Sequence, residues 1–413
     1  MHSERPLPSR SVLILDGMTQ NGLAMSRSLG RAGHRVGIVV RPNSGFSGAL
    51  RKALRSRFML AVHVLDLDEE ADSYMAALRD IVSAGRYDYV MAAGTRAYNR
   101  LSQLKSELSA LTKPLVADWS MVTRLHDKGD FMRLAAAEGM PVPQTWVIDS
   151  RDDLDRAAAE IEGPVIVKLR DSFASRGLWT FDEGGETFRT EFLHRYPDVA
   201  IGVPAPAIVQ QRIRGRVHDV TTLWHRGREI ASLSQLRQLT DWLDGGSGIV
   251  NVTNDLPVLL DMSRKLLARL EWDGPLQLEW LEEEGTGRFF LLEANPKFWG
   301  TTQLSISAGL DYPSWWVSLH EGVEPHVPAY RRNLMLRWLA KEIRTVLTVP
   351  DNRVRLCREL RGFFARFHHR PRISDFDWRD PLPSVHDWIM LVADLSLRGG
   401  FHKTVRAYRN RLA

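Results

Sequence analysis

Thiols are almost absent from this chain. Its 413 residues contain one cysteine, Cys357. That excludes an intrachain disulfide and a thiolate-built metal cluster, and it fits a reducing, cytosolic setting. Long apolar runs are missing as well. None approaches the roughly 20 residues that a membrane-spanning helix requires. The opening "MHSERPLPSRSVLILDG" has only a four-residue apolar run, too short for a secretory leader, so a cytoplasmic location is expected. The turn "DGMTQNG" lacks the G-x-G-x-x-G spacing of a dinucleotide fingerprint, and its α/β surroundings read as purely structural. There is no internal repeat, no low-complexity linker and no nucleic-acid module.

What is present is uneven in charge. Residues 331–413 carry 18 Lys and Arg against 8 Asp and Glu, a balance of +10. With +5 for the whole chain, residues 1–330 are left at −5. The basicity therefore belongs to the tail. "RRNLMLRWLAKEIRTVL" and "NRVRLCRELRGFFARFHHR" have helical spacing, with Arg on one side and Leu, Trp and Phe on the other. A helical appendage packed on the body is the plainest reading. Contact with an anionic membrane surface or an acidic partner is the sharper one.

Along the chain, "SVLIL", "LAMSRSLGRAG" and "HRVGIVV" read strand, helix, strand, with Gly33 as the helix stop. "RYDYVMAAGTRAY" reads as a later strand running into a loop. Residues 1–118 thus form a small parallel-sheet α/β domain. Asp127 can cap a helix over 128–138 that Gly139 ends. "PVIVKLRDSFASRG" gives a strand running into a loop, and two strands flank Gly215. "PVLLDMSRKLLARLEW" has amphipathic spacing.

The segment "PLQLEWLEEEGTGRFFLLEAN" (275–295) reads as two strands joined by an acidic turn. A turn centred near Thr286 sets Glu279 opposite Glu293, with Cβ atoms about 5 Å apart. Two carboxylates at that distance repel, and one is neutralised unless a cation lies between them. Mg²⁺ takes one or two carboxylates together with substrate phosphates, and Asn295, on the face of Glu293, adds a neutral oxygen. Glu282, Glu283 and Glu284 read as ordinary surface acids of the turn. Lys168 at a strand end and Lys128 at a helix start offer cations for phosphates, and "DSFASRGLW" could cover them. Singly, each of these has a plain surface reading.

In order, "HDK", "PVIVK", "IVQQRIRG", "LQLEW" and "LLEANPKFWG" resemble the ATP-grasp superfamily, in particular its carboxylate–amine ligases. The resemblance covers residues 119–325. Residues 1–118 then resemble the preceding α/β domain, and 326–413 form a basic, mainly helical extension. The implied fold is α/β and α+β: a parallel-sheet domain followed by two ATP-grasp subdomains. The resemblance implies Glu279, Glu293 and Asn295 as ligands of Mg²⁺, or of Mn²⁺. It implies Lys128, Lys168 and Ser175 at the phosphates of ATP. Gln210, Gln211 and Ile213 fall at the adenine hinge, and His218 at the ribose or a phosphate. Arg237, Lys297 and the "GGSG" at 245–248 fall near the acyl phosphate or the acceptor. The implied reaction joins a small carboxylate, such as an amino acid, to an amine, with release of ADP and phosphate. A homodimer is common among such ligases.

Three features depart from the pattern. The phosphate loop "RDSFASRG" has only Gly177, the hinge acid is Gln210, and Lys297 stands where arginine is common. Lys297 keeps the charge and loses the two-pronged fork. The competing expectation is a weakly catalytic or non-catalytic ATP-binding module docked through its basic tail.

Overall fold

The computed structural model describes residues 8–41, 46–65, 72–171, 178–201, 203–242, 245–347, 360–369, 372–373 and 376–397. Three sheets organise them. The first holds β1 (Ser11–Leu15), β2 (Arg35–Val40), β3 (Met59–Val64), β4 (Tyr89–Ala92) and β5 (Lys113–Pro114) in the order β3-β2-β1-β4-β5, every pair parallel. In β1, Val12, Leu13, Ile14 and Leu15 have no exposed surface, because helices cover both faces of a parallel sheet. At its carboxyl edge β1 meets β4 tightly: a Cβ on Gly94 would lie 1.9 Å from Asp16 Oδ2. Past Gly94 the chain enters the helix Thr95–Gln103, where the sequence pattern pointed to a loop.

The second sheet orders β6 (Thr145–Val147), β7 (Val165–Leu169), β8 (Leu178–Phe181) and β9 (Ala207–Gln211) as β6-β9-β7-β8, all antiparallel. Alternation splits its faces. Val165, Val167, Ala207 and Val209 pack with Leu154, Phe188 and Phe192 of two covering helices. Ile166, Lys168, Ile208 and Gln210 occupy the opposite face.

The third sheet runs β14-β13-β10-β11-β12-β15-β16, with β10 (Gly215–His225), β11 (Arg228–Trp242), β12 (Gly245–Asn254), β13 (Gly274–Glu283) and β14 (Phe289–Asn295). Leu276, Leu278 and Trp280 turn to the back, against Leu259, Leu266 and Leu267 of the helix Pro257–Arg269. Trp280 Nε1 donates to Ser263 Oγ at 3.2 Å and fixes that contact. The front is left to Gln277 and Glu279. The β13–β14 turn is closed by Gly285 and Gly287, whose φ values of 84° and 68° suit a residue without Cβ.

The sheet ends in β15 (Met335–Arg337) and β16 (Arg372–Ile373). The segment 331–347, helical by its spacing, is thus a short strand followed by the helix Leu339–Leu347. "MLR" pairs with β12 because an open sheet edge supplies ladder partners that helical periodicity cannot offer. The tail is tied to the body by buried charge. Arg27 of the first sheet's helix pairs with Asp380 at 2.8 Å, and within the tail Arg337 and Arg366 both hold Glu342. No helix among the described residues is long and apolar enough to cross a membrane.

Candidate active site

The antiparallel register places Glu279 directly opposite Glu293, the pairing expected of a turn centred near Thr286, and Gln277 opposite Asn295. Regular pairing breaks immediately beyond the carboxylates, between Glu279 and Trp280. Such a bulge re-aims side chains at the rim of a sheet. Asn295 Nδ2 donates to Glu279 Oε1 at 3.1 Å. Both carboxylates sit at the mouth of the sheet, 18% and 26% exposed, so incoming ligands can reach them.

Four cations converge on this pair. Lys128 Nζ lies 3.9 Å from Glu293 Oε2. Its position has a local cause. Asp127 caps the helix Lys128–Ala137 by accepting from Asp130 N at 2.9 Å, and it takes the Arg170 Nε donor at 2.9 Å. Arg170 also reaches Asp149 at 2.7 Å, while its carbonyl accepts from Lys128 N. The helix start is thereby pinned to the end of β7, where Lys168 stands on the face away from the packed core. Lys297 is turned back by a tight bend around Pro296, its N–H donating to Asn295 O at 2.8 Å. Arg237 on β11 reaches Glu279 Oε1 at 2.5 Å and Asp219 Oδ1 at 2.6 Å.

The electrostatics separate the two glutamates. Burial alone would raise both. At Glu279 the Arg237 charge outweighs burial and holds the carboxyl below its ordinary range. At Glu293 burial prevails over Lys128, with Glu279 adding to it, and the carboxyl is pushed up. Like charges on facing strands behave this way when one finds a better counter-ion than the other. Burial also lowers Lys168 and Lys297 against the pull of Glu293. Arg237 stays firmly protonated, because Asp219 and Glu279 together overcome its burial.

Beside Glu293 the site opens into a crevice of about 350 Å³, solvent at its mouth included. Its far wall comes from Thr95 and Asn99, on the helix that follows β4, and from His126; these face Lys128, Asn295 and Lys297. His126 Nε2 lies 2.5 Å from Asp171 Oδ1 and 3.3 Å from Asn99 Nδ2. Among the described residues no three His, Cys, Asp or Glu form a self-sufficient metal cage. Two carboxylates and an amide are nevertheless a fitting donor set for a hard divalent ion that completes its shell with phosphate oxygens.

The structure thus brings together Glu279, Glu293, Asn295, Arg237, Lys297, Lys128 and Lys168. Gln210 shares the Lys168 face of the second sheet, but its side chain is buried against Thr145, with Nε2 donating to Oγ1 at 3.0 Å. Gln211 and Ile213 follow at the exit of β9, where Gln211 N donates to Gln144 O. His218 stands apart from the carboxylate pair, held between Glu282 Oε2 and Asn254 Nδ2, both at 3.0 Å. Burial lowers its pKa in spite of Glu282. Ser175 lies outside the described residues. The "GGSG" segment forms the start of β12 rather than a free loop. Two features escaped the sequence reading. Asp219 was visible only as an acid just before the strand run "VTTLW", and the wall of Thr95 and Asn99 had no signal beyond the Gly-Thr after β4.

No family model and no curated protein sequence matches the chain. Solved structures do. The biotin carboxylase domain of Hydrogenobacter thermophilus 2-oxoglutarate carboxylase, a dimer holding MgADP and bicarbonate, superposes with a TM-score of 0.64 at 11% identity, over 80% of this chain and 74% of that one. The ADP complex of an N5-carboxyaminoimidazole ribonucleotide synthetase gives 0.61 at 12% identity, over 88% and 98%. An L-amino acid ligase from Bacillus licheniformis gives 0.55 at 14% identity, over 75% and 74%. These are ATP-grasp enzymes, and the fold of this chain is theirs.

Proposed function

From an ATP-grasp fold with this cluster at its centre, we propose that the chain is an ATP-dependent carboxylate–amine ligase. The observation that carries the reading is the Glu279–Glu293 pair, facing across one rung with Asn295 beside it and Lys128, Lys168, Lys297 and Arg237 around it. Three carboxylates, Asp219 included, meet four cations there, an excess of positive charge that suits a polyphosphate. The solved relatives with bound MgADP or ADP support the same choice of nucleotide.

In this reading ATP lies between the second and third sheets. Lys128 and Lys168 hold its phosphates, and Gln210, Gln211 and Ile213 flank the adenine. Glu279, Glu293 and a turned Asn295 amide would hold Mg²⁺, with Mn²⁺ as a substitute. Such an ion supplies charge neutralisation at the phosphates. A substrate carboxylate attacks the γ-phosphorus, the bond to the β-phosphate oxygen breaks, and ADP leaves. An amine then displaces phosphate from the acyl phosphate to form an amide. Arg237 and Lys297 stabilise the charge on the transferring group, and the crevice wall of Thr95, Asn99 and His126 receives the carboxylate or the amine. Positioning and electrostatics carry the rate, without a covalent enzyme intermediate.

The test is a pairwise screen of amino acids and small acids, scored by ADP and phosphate release in the presence of Mg²⁺. Release that requires both partners supports the ligase. AMP as product would rule out the acyl-phosphate route, and nucleotide binding without turnover for any pair would favour a binding module.

A further inference from the structure

Glu293, Glu279, Asp219 and Gln235 fall on one continuous rung across β14, β13, β10 and β11. Three carboxylates therefore stand on adjacent strands, one strand spacing apart. The third differs from the others. Asp219 has no exposed surface, whereas Glu279 and Glu293 are part-exposed. Among the described residues its carboxylate meets only Arg237 and Gln235. Arg237 Nη2 and Nε grip Oδ1 and Oδ2 at 2.6 and 3.1 Å, a two-pronged contact. Gln235 Nε2 donates to Oδ2 at 2.8 Å and to Thr301 Oγ1 at 2.7 Å, which ties this corner to the chain just beyond Lys297.

The same Arg237 Nη2 that bonds Asp219 also lies on Glu279 Oε1. One guanidinium is thus divided between two carboxylates. We infer that Asp219 is a positioning residue that takes up the charge of Arg237, so that Glu279 keeps enough negative charge to bind the divalent ion. With Asp219 in place, the trio Asp219, Arg237 and Glu279 carries net −1. Without the Asp219 charge the trio is neutral, Arg237 rests on Glu279 alone, and it competes with the metal for the same oxygens. A carboxylate that ligates a cation needs such an outer partner to set its orientation and basicity. The inference rests on the metal assignment proposed above.

The experiment is Mn²⁺ binding to the full-length chain in the presence of ADP, followed by electron paramagnetic resonance of free Mn²⁺. Asp219→Asn preserves shape and removes only charge; Mn²⁺ affinity should fall about tenfold. Adding Arg237→Gln to it removes the competitor and should restore affinity to near the wild-type value. A purely structural role for Asp219 would make the double variant worse, not better. Unchanged affinity in Asp219→Asn, or no recovery in the double variant, overturns the inference while leaving the metal site standing. If the wild type binds no Mn²⁺ with ADP, the metal assignment and the inference fall together. Should Asp219→Asn not fold, Arg237→Gln alone decides: tighter Mn²⁺ binding supports the inference and weaker binding overturns it.

Discussion

Two buried charge clusters in this molecule look alike on paper and differ in what they can do. In the tail, Glu342 is fully enclosed and takes Arg337 Nε on one oxygen and Arg366 Nε on the other, both at 2.6 Å. The Arg337 guanidinium also lies 4.8 Å over the Phe363 ring. Around Glu279 and Glu293 a similar set of charges is left partly open, with Glu293, Lys128 and Lys297 lining a crevice, both carboxylates part-exposed and their pKa values driven in opposite directions. Burying a closed ion network costs desolvation and gives the fold a single docking geometry. An open one stores charge for a ligand. Openness, more than the number of charges, separates the candidate site from the closed cluster of the tail.

The contrast can be broken most sharply at Glu293. Glu293→Gln should abolish Mg²⁺-dependent ADP release, with a loss of at least about a hundredfold, while thermal unfolding stays near wild type; retained turnover would remove the distinction. The reverse is expected at Glu342. Glu342→Gln strands two arginines in the interior and should cost about 3–5 kcal/mol in urea unfolding, with ADP affinity of the folded fraction unchanged.

A smaller effect tests the open cluster by pH. Burial holds Lys168 below its ordinary pKa of 10.5 despite Glu293. Metal-free ADP binding, measured by calorimetry, should therefore decline as pH rises through that lowered value, at a lower pH than an ordinary lysine would set. Lys168→Arg, which stays protonated, should shift the decline to higher pH, and Lys168→Met should weaken ADP roughly tenfold at neutral pH. The smallest effect lies in the turn that sets the register. Gly285→Ala at φ 84° should cost about 1 kcal/mol of stability, without moving the Glu279–Glu293 pair, as ADP affinity would report.

Much of the β13–β14 hairpin was readable in advance. The alternation of "LQLEW" allowed one buried face, and a turn centred near Thr286 suggested Glu279 opposite Glu293; the structure reaches that pairing through the bulge between Glu279 and Trp280. The Asp127 cap and the Gly139 stop were equally local, with the Asp127 carboxylate on Asp130 N and φ 75° at Gly139. The tail was read less well. Helical spacing over 331–347 concealed β15, because the open edge of β12 outbid local preference.

What the sequence determined alone is the chemistry of single elements: which residues face together along a strand, and where a capped helix such as Lys128–Ala137 starts and stops. Those follow from periods and turn geometry that span only a few residues. That Arg237 would choose Asp219 as well as Glu279, that Thr95 and Asn99 would wall the crevice, and that Arg27 would meet Asp380 were decided by the tertiary structure. Such contacts join positions from 18 to over 350 residues apart, and no local pattern specifies which charge a folded chain will bring against which.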